Sequence, residues 1–201
     1  MSILIILRHG QSIWNLENRF TGETDVDLSP QGELEAHRAG KLLKPYKFDM
    51  VFTSILIRAI HTLKIVLNEI GEDLPIIESK QLDERNYGDL QGLNKSETEQ
   101  IYGVEQVHLW RRSFEVKPPN GESLKDTFDR TVPYFKTFIE PHLKGNKNIL
   151  IVAHGNSLRA LMMYLEDISP DAISEINLET GIPRVYQFSD NFKLLSAEYL
   201  A

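Results

Sequence analysis

Two apolar runs, Ile3 to Leu7 and Ile149 to Ala153, are continuous and short. Runs of this kind suit strands of a parallel sheet covered on both faces. Met50 to Thr53 reads as a third strand, and Pro75 to Glu78 and Val185 to Phe188 as weaker ones nearer the sheet edges. Between them the apolar positions recur with helical period. Ser29-Pro30 predicts a capped helix start, with the helix running to about Leu43. Leu56, Ile60, Leu63, Leu67 and Ile70 share one face of a second helix, which Gly71 stops. Ser123 with Asp126 predicts a cap for the stripe Leu124, Phe128, Val132, Phe135, Ile139, Leu143, and Pro133 and Pro141 predict a kink or break in it. Val104, Val107 and Phe114 suggest a shorter helix carrying Arg111 and Arg112. Strands alternating with helices imply an α/β domain with a mostly parallel central sheet flanked by helices in three layers. Asn15 to Leu28 and Asp83 to Lys95 fall outside the pattern as long polar loops, a common place for function.

Composition narrows the function classes. The 201 residues are 41% hydrophobic and fit one domain over 1–201. The net charge of -7 argues against nucleic acid and anionic membrane as partners. An anionic small molecule then requires basic side chains that converge locally. The absence of cysteine excludes disulfides and thiolate chemistry. No apolar run approaches the roughly 20 residues of a membrane span, and no secretory leader is visible, so the expected compartment is the cytoplasm.

Candidate chemistry follows two of the strands. Arg8-His9-Gly10-Gln11-Ser12 follows the first, and His154-Gly155-Asn156-Ser157 follows the later apolar run. Ligands of open α/β sheets bind at the carboxyl ends of strands. If the two strands are neighbours, the histidines face one another across a small gap. No HxxxH or HExxH pair and no third ligand appear, so no metal is expected. Arg58 falls near the first turn of a helix, a favourable anion cradle, although a lone arginine there is often only a surface group. Glu84 could exchange a proton beside a histidine pair, although acidic loops are frequent. Arg111-Arg112 and Lys95 could clamp a carboxylate or phosphate, or be plain surface charges.

Assembled, these residues resemble the cofactor-dependent phosphoglycerate mutases of the histidine phosphatase superfamily. The resemblance runs through Leu7-Arg-His-Gly-Gln-Ser-Ile-Trp-Asn15, Phe20-Thr-Gly22, Asp27-Leu-Ser29, Arg58-Ala-Ile-His-Thr62, Glu84-Arg85 with Tyr87-Gly88, and Leu90-Gln-Gly-Leu-Asn-Lys95. It continues through Glu105-Gln-Val107, Trp110-Arg-Arg112, Pro118-Pro119, Asn120-Gly-Glu-Ser-Leu124 and Ala153-His-Gly-Asn-Ser-Leu-Arg-Ala160. It implies that 2,3-bisphosphoglycerate primes a phosphohistidine on His9, through which 3- and 2-phosphoglycerate interconvert in glycolysis and gluconeogenesis. It further implies Glu84 as general acid and base, and His154 as stabiliser of the phosphoryl charge. Arg8, Asn15, Arg58 and the amides near Gly155 and Asn156 are implied to hold the phosphoryl oxygens. Thr21, Gly22, Tyr87, Lys95, Arg111 and Arg112 are implied to hold the remainder of the phosphorylated three-carbon acid. Gly10, Gln11, Ser12 and Arg85 join this substrate set by position in the motifs. A homodimer through the edge near Pro75 to Glu78 is a further expectation. The chain ends at Ala201 without the Lys- and Gly-containing tail of longer relatives. The alternative expectation is therefore a phosphatase acting on small phosphorylated metabolites through the same phosphohistidine.

Overall fold

A computed structural model of the chain describes residues 1–200. The sheet has six strands, β1 (Ser2–Arg8), β2 (Met50–Thr53), β3 (Ile76–Glu78), β4 (Ile149–Ala153), β5 (Pro183–Phe188) and β6 (Leu194–Tyr199), in the order β3-β2-β4-β1-β5-β6. The β3, β2, β4 and β1 neighbours are parallel, and β5 and β6 are antiparallel to what precedes them. The helices are α1 (Ile13–Leu16), α2 (Pro30–Leu43), α3 (Ile57–Ile70), α4 (Lys95–Tyr102), α5 (Val104–Arg112), α6 (Leu124–Tyr134), α7 (Glu140–Lys144), α8 (Gly155–Glu166) and α9 (Pro170–Ile173).

Both faces of the central strands are covered, which is why their sequences read as unbroken apolar runs. Ile5, Leu7, Val51, Leu150 and Val152 meet Ala39 and Leu43 of α2 and Ala59, Leu63 and Val66 of α3. Leu4, Ile6, Phe52, Ile149 and Ile151 point the other way, onto Phe135, Ile139, Leu143, Leu158 and Leu161. The architecture is a three-layer α/β/α sandwich, as the alternation of strand and helix implied. Strand β3 forms one edge, with Ile76 and Ile77 exposed. Strand β5 lies one position inside the other edge, because β6 covers it.

Local signals explain most boundaries. Ser29 Oγ accepts the Gly32 amide and Pro30 opens α2. Gly71 ends α3 in the left-handed conformation, φ 72°. Ser123 and Asp126 form a reciprocal capping box. The expected kink or break takes the form of a change in helix type. Residues Phe135–Ile139 form a π-helical segment between α6 and α7, so the apolar stripe stays continuous. Pro141 cannot donate to the carbonyl of Thr137 and would clash with it in regular α geometry, and the widened turn lies directly ahead of it. Phe114 falls beyond α5 and packs against Phe128, with ring centroids 6.3 Å apart. Val104 is exposed, so that proposed face holds only through Val107. No helix among the described residues is long and apolar enough to cross a membrane.

Candidate active site

Register brings the two histidines together. Arg8 of β1 pairs with Ala153 of the adjacent parallel β4, so His9 and His154 are each the next residue at the same level. The His9 amide donates to the Ala153 carbonyl at 3.0 Å, which carries the ladder one step past the strand. The rings sit 4.9 Å apart between centroids, tilted by 58°, and both residues are buried.

Each ring is oriented by one contact. His9 Nδ1 lies 2.6 Å from the Gly10 carbonyl. A carbonyl only accepts, so Nδ1 carries the hydrogen and Nε2 keeps its lone pair. His154 Nε2 lies 2.6 Å from Ser54 Oγ, and its Nδ1 has no protein partner. Burial, reinforced by the Arg58 charge, holds both imidazoles well below the ordinary histidine pKa of 6.5. Both rings are therefore neutral near pH 7.

A polar cavity opens beside His9. Its lining contains Arg8, Arg19, Arg58, Lys95, Arg111, Arg112 and Arg159, against Glu84 as the single carboxylate. In a chain of net charge -7, this local reversal of sign marks a site for a multiply charged anion. Arg58, in the first turn of α3, donates to the Gly22 carbonyl at 2.7 Å and the Thr24 carbonyl at 2.9 Å, and so fixes the loop that supplies Thr21 and Gly22. Arg8 donates to the Leu178 carbonyl at 2.6 Å and keeps a buried Nε without a partner. The Thr21 hydroxyl is also buried and unpartnered at the cavity wall. Glu84 Oε1 accepts from the Arg85 amide at 2.8 Å and the Asn156 amide at 3.1 Å, next to the positive end of α8. Burial together with the Arg111 and Arg8 charges lowers the Lys95 ammonium to a pKa of about 8.

The structure brings Arg8, His9, Asn15, Thr21, Gly22, Arg58, Glu84, Tyr87, Lys95, Arg111, Arg112, Gly155 and Asn156 to one cavity, with His154 directly behind His9. Four expected substrate residues do not line it. Gly10 faces α2, where a Cβ would stand 2.1 Å from the Gly32 carbonyl oxygen, and its amide donates to Thr62 Oγ1 at 3.1 Å. Gln11 is engaged by Glu35 through its amide and by the Ser29 hydroxyl through its side chain. Ser12 caps α1 in a reciprocal pair with Asn15. Arg85 is fully buried behind Tyr87, with its guanidinium 4.6 Å from that ring and bonded to the Trp110 carbonyl. The Asn156 amide, expected to hold a phosphoryl oxygen, is occupied by Glu84.

Sequence reasoning missed Arg19, Phe20, Arg159, Asn177 and Leu178 in the lining. Arg159 had a usable signal, since it stands one helical turn after Gly155 and Asn156 and donates to Asn156 Oδ1 at 3.1 Å. Asn177 and Leu178 lie in an irregular segment with no motif.

The chain is also similar to known proteins in sequence and fold. The family model described as histidine phosphatase superfamily (branch 1) matches residues 4–196. A 2,3-bisphosphoglycerate-dependent phosphoglycerate mutase of Cytophaga hutchinsonii is 58% identical, with the alignment covering 100% of this chain and 94% of the relative. A protein of the same name from Beijerinckia indica subsp. indica is 49% identical, covering 98% and 97%. Among solved structures, Bacillus stearothermophilus YhfR superposes with a TM-score of 0.85 at 27% identity, covering 97% of this chain and 95% of that one.

Proposed function

Because the chain belongs to branch 1 of the histidine phosphatase superfamily, we propose that it is a 2,3-bisphosphoglycerate-dependent phosphoglycerate mutase, working in the cytoplasm on phosphorylated three-carbon acids. The observation that carries this reading is the neutral His9 imidazole, 4.9 Å from that of His154, at the wall of a cavity with seven cationic side chains. Relatives 49% and 58% identical over nearly their whole length, which bear that name, support the substrate.

In this reading His9 Nε2 attacks the phosphorus of the priming bisphosphoglycerate in line with the leaving oxygen, and the P–O bond breaks as the N–P bond forms. The Glu84 carboxyl gives its proton to the departing oxygen. Glu84 then takes the proton of the monophosphoglycerate hydroxyl that attacks the phosphohistidine in the return step. The phosphoryl group in flight carries spread negative charge, so prepositioned donors do most of the work. Arg8 and Arg58 line the cavity beside His9 and suit this task, with His154 packed against the His9 ring, and loss of one such donor costs about a hundred- to a thousandfold in rate. Lys95, Arg111 and Arg112 line the same cavity and suit the second phosphate and the carboxylate.

The test is incubation with labelled 2,3-bisphosphoglycerate. Acid-labile, alkali-stable label should appear on His9 and be absent from the His9→Ala variant. Isomerisation of 3-phosphoglycerate should be activated by traces of the bisphosphate and outpace release of inorganic phosphate. Faster phosphate release than isomerisation would establish a phosphatase instead.

A further inference from the structure

The carboxyl proposed to move the proton belongs to a segment with little regular structure of its own. After the short 3-10 turn Lys80–Leu82, residues 83–86 form neither helix nor strand. One side chain gathers the carbonyl groups of this stretch. Arg130 of α6 donates from Nη1 to the carbonyls of Lys80 at 3.4 Å and Gln81 at 2.9 Å. From Nη2 it donates to those of Asp83 at 3.0 Å and Glu84 at 3.1 Å. Glu122 locks the guanidinium in a two-point pair, accepting from Nε at 3.0 Å and Nη2 at 3.1 Å. Glu122 also holds the far end of the segment. Its Oε2 accepts the Asn86 amide at 3.1 Å, and its own amide donates to the Asn86 carbonyl at 2.8 Å.

A guanidinium has five N–H donors in a rigid fork, and here all three nitrogens are engaged within the protein. Arg130 does not line the cavity, so it is not a ligand for substrate. Its bonds end on the backbone that carries Glu84, directly beside the carboxyl proposed to meet the leaving oxygen. We infer that Arg130, locked by Glu122, is the positioning residue for the Glu84 carboxyl and sets its readiness to protonate the leaving oxygen. The inference rests on the proton-transfer role proposed above for Glu84.

A change in leaving group tests it. Phenyl phosphate and p-nitrophenyl phosphate have nearly the same shape, but phenolate leaves poorly and nitrophenolate well. Only the first needs a proton from the enzyme as its P–O bond breaks. Single-turnover phosphorylation of His9 from each gives a rate ratio that is independent of the folded fraction of the sample. Glu84→Gln sets the benchmark and should lower the phenyl to nitrophenyl ratio about a hundredfold. Arg130→Lys and Glu122→Gln should each lower the same ratio by about tenfold or more, as expected when a catalytic group is displaced by a fraction of an ångström to an ångström. Should Arg130→Lys fail to fold, Glu122→Gln, which removes charge but little volume, carries the test. Equal losses on both donors in these two variants, beside a lowered ratio in Glu84→Gln, would overturn the positioning role alone. An unchanged ratio in Glu84→Gln would overturn the proton-transfer role and this inference with it.

Discussion

A single protonation state separates the residues of this cavity by task. His9 and His154 are kept neutral by burial and by the neighbouring guanidinium charges, whereas Lys95, under the same pressures, retains its charge only up to about pH 8. The kcat/KM profile, which reports groups of the free enzyme, should therefore fall above about pH 8 as Lys95 loses its proton. Lys95→Arg should move that alkaline limb upward, since a guanidinium stays charged; a limb unmoved in the variant would exclude Lys95 as its source. On the acid side the rate should hold to well below pH 6.5, because protonation of His9 is delayed. At this scale the sequence was informative where a motif ties a residue type to a strand end, as with His9 and His154, or to a helix start, as with Arg58. It does not distinguish a residue that shares the motif but lies outside the cavity lining. Gly10, Gln11 and Ser12 are next to His9 in the chain, yet they engage α1, α2 and α3, and only the path of the backbone separates the two tasks.

The His9 loop and α2 meet backbone to backbone, without side chains between them. A Cβ placed on Gly32 would stand 2.0 Å from the Gln11 carbonyl oxygen. Alanine normally improves a helix over glycine by about 1 kcal/mol. At this position the forced shift should outweigh that gain, for a net loss of about 1–3 kcal/mol, or several degrees in Tm for a chain of this size. Gly32→Ala should also lower kcat, because the segment it pushes carries His9. A thermal melt with a steady-state assay checks both, and an unchanged Tm would mean the contact relaxes freely. The elements that sequence revealed were those with apolar contrast or an end signal, such as α2, α3 and α6. Helix α8 went unassigned because eight of its twelve residues are buried, which leaves little polar face to reveal a period. Helix α4 buries only Thr98 and shows the opposite blank. Strand β6 has no buried residue, and its Leu194, Leu195 and Tyr199 do not alternate with polar positions, so it carries little signal beyond its pairing with β5.

For the whole molecule, the two buried rings couple stability to pH. Their folded pKa values lie below the unfolded value of about 6.5. The unfolded chain thus binds more protons as pH falls through 6.5, and stability is present above that pH and lost below it. The loss should reach roughly 1 kcal/mol per ring one unit lower. Asp83, raised by burial to about 6, works in the opposite sense and offsets part of it. His154→Gln removes one ring's share, so its Tm should decline less between pH 7 and pH 5.5 than that of the unaltered protein; a parallel decline would contradict the coupling. The three-layer order could be inferred from the sequence because parallel strands buried on both faces leave continuous apolar runs, whereas the antiparallel reversal at β5 has no comparable mark. The junction of β1 with β4 has a further consequence. Neighbouring strands stand about 4.7–4.9 Å apart wherever polypeptides form sheets, and the two imidazole centres keep that same spacing, 4.9 Å. The ladder repeat of the peptide group fixes how far apart the two histidine backbones stand, a length that side-chain replacement does not stretch, while the rotamers set the tilt of 58° between the rings. Evolution or design can thus recut the rim for another phosphate ester while the spacing of the two histidine backbones stays constant.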